Sequence, residues 1–87
     1  MIDMDALDGN AIGGLLLEVF GAEMTTAVGT CATCGYTGPV AECLVYLRAP
    51  GTVVRCRNCA SVLMVFVSVR DRGCVDLRGL AALENPP

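Results

Sequence analysis

Cys31-Ala32-Thr33-Cys34-Gly35 and Cys56-Arg57-Asn58-Cys59-Ala60 are the two stretches on which the fold of this chain turns. The inner cysteines, Cys34 and Cys56, have 21 residues between them. Two Cys-x-x-Cys pairs at this separation read as one tetrahedral thiolate site. Soft sulfur ligands suit Zn²⁺ at about 2.3 Å, and four of them close the coordination shell. The candidate metal ligands are therefore Cys31, Cys34, Cys56 and Cys59. The same four sulfurs also accept iron. Two rival readings stay open at this point: buried thiols without metal, and a disulfide pair. The spacer lies just past the usual range for this pattern, and a β-hairpin of that length fills it. Gly35 fits a loop that needs positive φ at its end. Ala60 departs from that preference, which predicts a less ideal or differently shaped second loop.

Size explains why a metal would matter. At 87 residues the chain reads as a single domain, residues 1–87. A chain this short buries only about 60% of its unfolded surface, so its core is marginal. Structural zinc binds with apparent free energies of about 10–16 kcal/mol, part of it expressed as folding energy. The composition is 54% hydrophobic and only 17% charged. So thin a polar shell predicts a surface that meets another protein or a second copy of the chain. The longest uninterrupted apolar run is 62–67, far below the roughly 20 residues that span a bilayer. Asp3, Asp5 and Asp8 without a basic residue are the opposite of a secretory n-region, which predicts a cytoplasmic location. In a reducing compartment paired cysteines indicate metal rather than disulfide; an oxidising one would allow about 15 pairings of six cysteines.

The pass along the chain predicts a small α+β fold, mainly β: a ribbon-like antiparallel sheet with an N-terminal amphipathic helix. Ile12, Leu15, Leu16, Val19 and Phe20 follow the helical rule over residues 9–20. Asp8 suits the N-cap, Leu7 and Ile12 the hydrophobic staple, and Gly21 the stop. Gly13 and Gly14 weaken the helix by about 1 kcal/mol each. Strands are expected over 24–30, 40–48, 52–56, 61–69 and 74–78, giving ribbon and hairpins over 27–78. Ala49-Pro50-Gly51-Thr52 reads as a type II turn and Arg70-Asp71-Arg72-Gly73 as a hairpin turn. Residues 79–87 read as a short tail, with Leu77, Leu80 and Leu83 on one edge of a helical turn and Pro86-Pro87 frayed.

A Cys loop, a hairpin, a second Cys loop and a further strand over residues 27–70 resemble the zinc-ribbon class. Cys31-Ala-Thr-Cys34-Gly35-Tyr36 also resembles the first loop of rubredoxins, which hold one iron on four cysteines and pass single electrons. The second loop lacks the Pro and Gly usual in that family, and the spacer is shorter. A third resemblance spans nearly the whole chain. Leu7-Asp8-Gly9-Asn10-Ala11, the segment 31–39 and Val75-Asp76-Leu77-Arg78-Gly79 look like a small uncharacterised actinobacterial family, a domain of unknown function. Genes of that family beside molybdopterin oxidoreductase and ferredoxin-reductase genes imply an accessory to a redox enzyme.

Catalysis is not expected. The chain has no His, so the usual general base and the Ser-His-Asp arrangement are absent. A hydrolytic zinc keeps an open position that four cysteines would fill. The Glu of the zinc deaminases has no counterpart before Cys31, and the glycines at 9–14 lack the Lys of a P-loop. Net charge is −3, and all six basic residues are Arg. Arg48, Arg55 and Arg57 are the residues a nucleic-acid ribbon would use, but with 5% aromatics the interleaving of base and ring is missing. Arg55 and Arg57 otherwise read as compensation for the thiolate charge. Tyr36 and Tyr46 read as packing residues, Cys43 as a small buried hydrophobe, and Cys74 beside Arg72 as a reactive thiol or an ordinary one. The expectation is a non-enzymatic structural-zinc interaction module. A rubredoxin-like iron carrier comes second and a nucleic-acid-binding ribbon third.

Overall fold

The computed structural model describes residues 6–48, 51–69 and 72–84. Among these residues eight strands run β1 (Ala6–Asp8), β2 (Val28–Cys31), β3 (Thr37–Pro39), β4 (Leu44–Arg48), β5 (Gly51–Arg55), β6 (Val62–Val69), β7 (Arg72–Asp76) and β8 (Leu80–Glu84). One short helix, α1 (Gly13–Phe20), follows a 3₁₀ turn at Gly9–Ile12. The strands form two sheets: five strands in the order β1-β4-β5-β6-β7, and three in the order β3-β2-β8. All pairings are antiparallel. The small α+β, mainly β architecture expected from the sequence is the one observed. Ala49 and Pro50 of the first expected turn, Arg70 and Asp71 of the second, and the Pro86-Pro87 tail lie outside the described residues.

The core lies between the larger sheet and the helical layer. Val45, Val54 and Met64 stand side by side in the β4-β5-β6 register and are buried. They join Ile12, Leu16, Met24 and Phe66 in one apolar cluster. Each fully buried side chain of this size contributes about 1.5–3 kcal/mol. The expected helix over 9–20 divides in two. Asp8 caps the 3₁₀ turn, its Oδ1 accepting from Asn10 N–H at 3.1 Å, and the α-helical part starts only at Gly13. Gly21 ends it in the left-handed region (φ 70°), its N–H donating to the Leu17 carbonyl. Val19, expected on the buried stripe, is 38% exposed, and Leu7 of the expected staple lies in β1 at 43%. With eight residues the helix turns only a narrow face, centred on Leu16, to the sheet.

Other boundaries move for local reasons. The 24–30 strand begins only at Val28, because Glu23 Oε1 accepts from both the N–H and the hydroxyl of Thr25 and holds a turn there. The 40–48 strand loses its first residues to a 3₁₀ turn at Val40–Glu42, entered from Pro39.

The expected tail at 79–87, with its helical turn, is corrected: residues 80–84 are strand β8, paired with β2. Leu80 and Leu83 are three apart, the spacing of a helix face. A register shift opposite Thr30/Cys31 gives β8 one extra residue, so Leu80 pairs with Cys31 and Leu83 with Gly29. Cys31 and Gly29 share a face of β2, so the bulge brings both leucines to that face. A similar shift at Val54/Arg55 gives β6 one extra residue and lets the neighbours Leu63 and Met64 both be buried.

Gly79 ties the two sheets together beneath the cysteine loops. Its N–H donates to the Leu63 carbonyl at 3.2 Å, and its carbonyl accepts from Ala32 N–H at 2.9 Å. A Cβ there would overlap the Val62 carbonyl oxygen. Only glycine lets the backbone approach β6 this closely.

Candidate metal centre

Each sheet contributes one cysteine loop. The first joins β2 to β3 and the second joins β5 to β6. In the first, Cys31 N–H donates to the Tyr36 carbonyl at 2.9 Å and Gly35 N–H to the Cys31 carbonyl at 3.0 Å. In the second, Cys56 N–H donates to the Ser61 carbonyl at 2.9 Å and Ala60 N–H to the Cys56 carbonyl at 2.9 Å. The two loops therefore close in the same way. Of the two sequence expectations, a less ideal second loop is observed and a differently shaped one is corrected: Ala60 adopts φ 64°, beside 78° at Gly35. A left-handed alanine costs roughly 1–2 kcal/mol, and the loop bears it.

The loops bring Cys31, Cys34, Cys56 and Cys59 together, with all four Sγ atoms within 4.8 Å of one another. Cys31 Sγ lies 3.7 Å from Cys59 Sγ, and Cys34 Sγ lies 3.7 Å from Cys56 Sγ. A tetrahedron with sulfur about 2.3 Å from its centre has edges of about 3.8 Å. Both cross-loop separations match that edge and far exceed a disulfide bond of about 2.05 Å. The donor set therefore fits a metal ion held by four sulfurs. The first cysteine of each pair is buried and the second is exposed. The site is a cap over the core with one side open to solvent.

Hydrogen-bond donors surround the sulfurs. Asn58 N–H donates to Cys56 Sγ at 3.3 Å, and Asn58 Nδ2 reaches across the site to Cys34 Sγ at 3.5 Å. That side-chain amide, followed by the Tyr36 backbone N–H, brings the Cys34 thiol down to about 6. Cys59 Sγ lies 3.2 Å from Ser61 Oγ. The Ser61 hydroxyl, and then its backbone N–H, lower the Cys59 thiol. Burial pushes Cys56 up to about 11, against the pull of the Cys59 and Asn58 N–H groups. Donors of this kind disperse thiolate charge and orient metal ligands. Asn58 and Ser61 were not singled out in the sequence. The signal available was a polar residue inside the second Cys pair and another two residues beyond it.

The remaining candidates fall around the centre. Arg57 pairs with Glu42 at 2.5 Å, and Arg55 donates to the Ala60 carbonyl at 2.9 Å with its guanidinium 5.7 Å from the centre of the Tyr46 ring. Both arginines brace the second loop rather than its sulfurs. Cys43 is partly buried beside the core, and burial, then the charges of Glu42 and Cys31, raises its thiol. Cys74 is exposed on β7, away from the four-sulfur cluster.

Among the described residues no helix is long and apolar enough to cross a membrane. No curated protein and no solved structure matches the chain. A family model does, over residues 3–87, and so takes in both cysteine loops and both sheets. The chain thus belongs to that family, described as a family of unknown function (DUF6510).

Proposed function

We propose that the chain is a non-enzymatic interaction module of the zinc-ribbon kind, held in shape by one zinc on Cys31, Cys34, Cys56 and Cys59. The observation that carries this reading is the pair of 3.7 Å cross-loop sulfur contacts within a 4.8 Å cluster. Four thiolates leave no open coordination position, which supports a structural ion over a hydrolytic one. The two loops come from different sheets, so one ion links both halves of a small core. The mostly apolar composition supports a role in meeting another protein. Elemental analysis of protein from its native host should find one zinc per chain. Chelation should then broaden or abolish cooperative unfolding. Metal-free protein with an unchanged melting transition would overturn the reading.

A second reading is an iron centre passing single electrons, as an accessory to a redox enzyme. It is favoured by the exposure of Cys34 and Cys59 and by the N–H donors on the sulfurs. Such donors and exposure tune an iron potential. Iron-loaded protein would be coloured and bleach reversibly with reductant. Colourless protein that retains zinc under reductant excludes it.

A further inference from the structure

β7 closes one side of the five-stranded sheet, and its outer edge has no partner among the described residues. Arg72, Gly73, Cys74 and Val75 are all exposed. The β6–β7 register runs without a shift from Val65↔Asp76 to Val69↔Arg72, so no bulge twists this edge away. It contains no Lys or Pro. A bulge, Lys and Pro are three of the devices by which natural edges avoid pairing, and the charges that β7 does carry are one of each sign.

The charges on β7 are self-complementary. Arg72 begins the strand, Asp76 ends it, and Cys74 lies midway. If a second copy runs antiparallel with Cys74 on the axis, Arg72 faces the partner's Asp76 and Asp76 faces the partner's Arg72. Within the five residues of the strand, no other two-fold register pairs opposite charges. The three side chains share one face of the sheet, since strand side chains alternate. Val65 and Val67, the β6 partners of Asp76 and Cys74, lie on that face and are only partly buried. The Asp76 carboxylate is already oriented by Arg78, at 3.0 Å from Nε and 2.7 Å from Nη2, yet keeps 38% of its side-chain surface open.

We propose that β7 is a dimerisation edge: two copies pair antiparallel about Cys74, joining their five-stranded sheets into one of ten strands. The contact is isologous, the commonest symmetry of soluble oligomers. Main-chain hydrogen bonds supply affinity, and the paired Arg72 and Asp76 supply register. The proposal rests on reading the chain as an interaction module and names a second copy as what it meets.

Sedimentation of the zinc-loaded full chain over roughly 1–500 µM tests it, with zinc per chain measured on the same sample. Wild-type protein should dimerise reversibly. Arg72→Glu sets like charges opposite each other twice, and Cys74→Lys sets two cations on the axis. Each should weaken association about tenfold or more. The triple variant Arg72→Glu/Asp76→Arg/Arg78→Glu, which reverses the Asp76–Arg78 contact as well, should return it to within about threefold of wild type. These positions are exposed or at the strand end, and an unchanged zinc content and circular-dichroism spectrum shows that each variant folds. Three results overturn the proposal: a monomer throughout the range, a dimer indifferent to Arg72→Glu and Cys74→Lys, or a triple variant that stays dissociated. A monomer with one zinc per chain removes the dimer and leaves the metal module standing, with the β7 edge free for a strand of another protein. Absent zinc removes the metal reading whatever the assembly.

Discussion

The two cysteine loops share a backbone and differ in what surrounds it. Cys31–Tyr36 and Cys56–Ser61 close with matching hydrogen bonds, and each buries its first sulfur and exposes its second. The first loop has Gly35 at the left-handed position and no charged residue; the second has Ala60 there and Arg57 within it. The second also supplies Asn58, whose side-chain amide crosses to Cys34. No side chain of the first loop is seen to return the favour among the described residues. Backbone geometry for four sulfurs thus arises twice, but the polar support comes mainly from one side. The crossing amide adds to the Gly79 bridge beneath the loops in setting the distance between two loops that come from different sheets.

The largest expected contrast lies between inner and outer sulfurs. Cys56→Ser removes a ligand that is also a core residue, so it should abolish stoichiometric metal and cooperative unfolding together. Cys34→Ser removes an exposed ligand. It should weaken metal binding at least about 100-fold while leaving a broadened but recognisable folded state. Metal titration with circular dichroism reads both, and equal behaviour would erase the distinction between buried and exposed sulfurs.

Acidity is next. Cys56 is held protonated up to about 11, whereas Cys34 is a thiolate above about 6. Metal uptake at neutral pH must expel the Cys56 proton, so affinity should rise about tenfold per pH unit from that group alone between these values. Below about 6 Cys34 must also lose a proton, and the dependence should steepen by another factor of about ten per unit. The sign is fixed: fewer bound protons favour the metal. Competition with a chromophoric chelator at several pH values measures it, and a flat profile would contradict the assignment.

Asn58→Ala tests the crossing amide. It should cost about 10- to 100-fold in metal affinity, the usual range for a group that orients a ligand. It should also raise the pH at which Cys34 ionises in metal-free protein. Thiol alkylation rates read that second effect, and an unchanged rate would mean the amide does not act on Cys34.

The smallest effects come from the left-handed position. Gly35→Ala should destabilise by about 1–2 kcal/mol. Ala60→Gly should stabilise by somewhat less, because glycine adds freedom to the unfolded chain. Opposite signs in thermal melts would show that the loops carry the same backbone demand.

Legibility followed the range of the cause. Gly21 as a helix stop and Asp8 as a cap were readable because a few neighbouring residues decide them. The strand β8 was not. Leu80 and Leu83 have helical spacing, and only a bulge against Cys31 and Gly29, some fifty residues earlier, makes that spacing serve a strand. β1 and β3 were missed for a related reason. Each has three residues, too few to show alternation, and each exists because a longer strand offered it an edge. Ala60 misled in the other direction. Its side chain argued for a different loop, while the bonds from Cys56 to Ala60 and Ser61 held the same one.

The order of residues alone determined which four sulfurs form the candidate centre, that a short helix lies near the N-terminal end of a mainly antiparallel β fold, and that the usual histidine chemistry is absent. Those conclusions rest on residue type and short spacing, which exist before the chain folds. Tertiary structure decided which sulfurs are buried, which amide braces them, that the C-terminal segment completes a second sheet, and that β7, with opposite charges at its ends, has an edge unpaired among the described residues. Each of these depends on contacts between segments far apart in sequence, where burial and register, rather than local preference, set the energy.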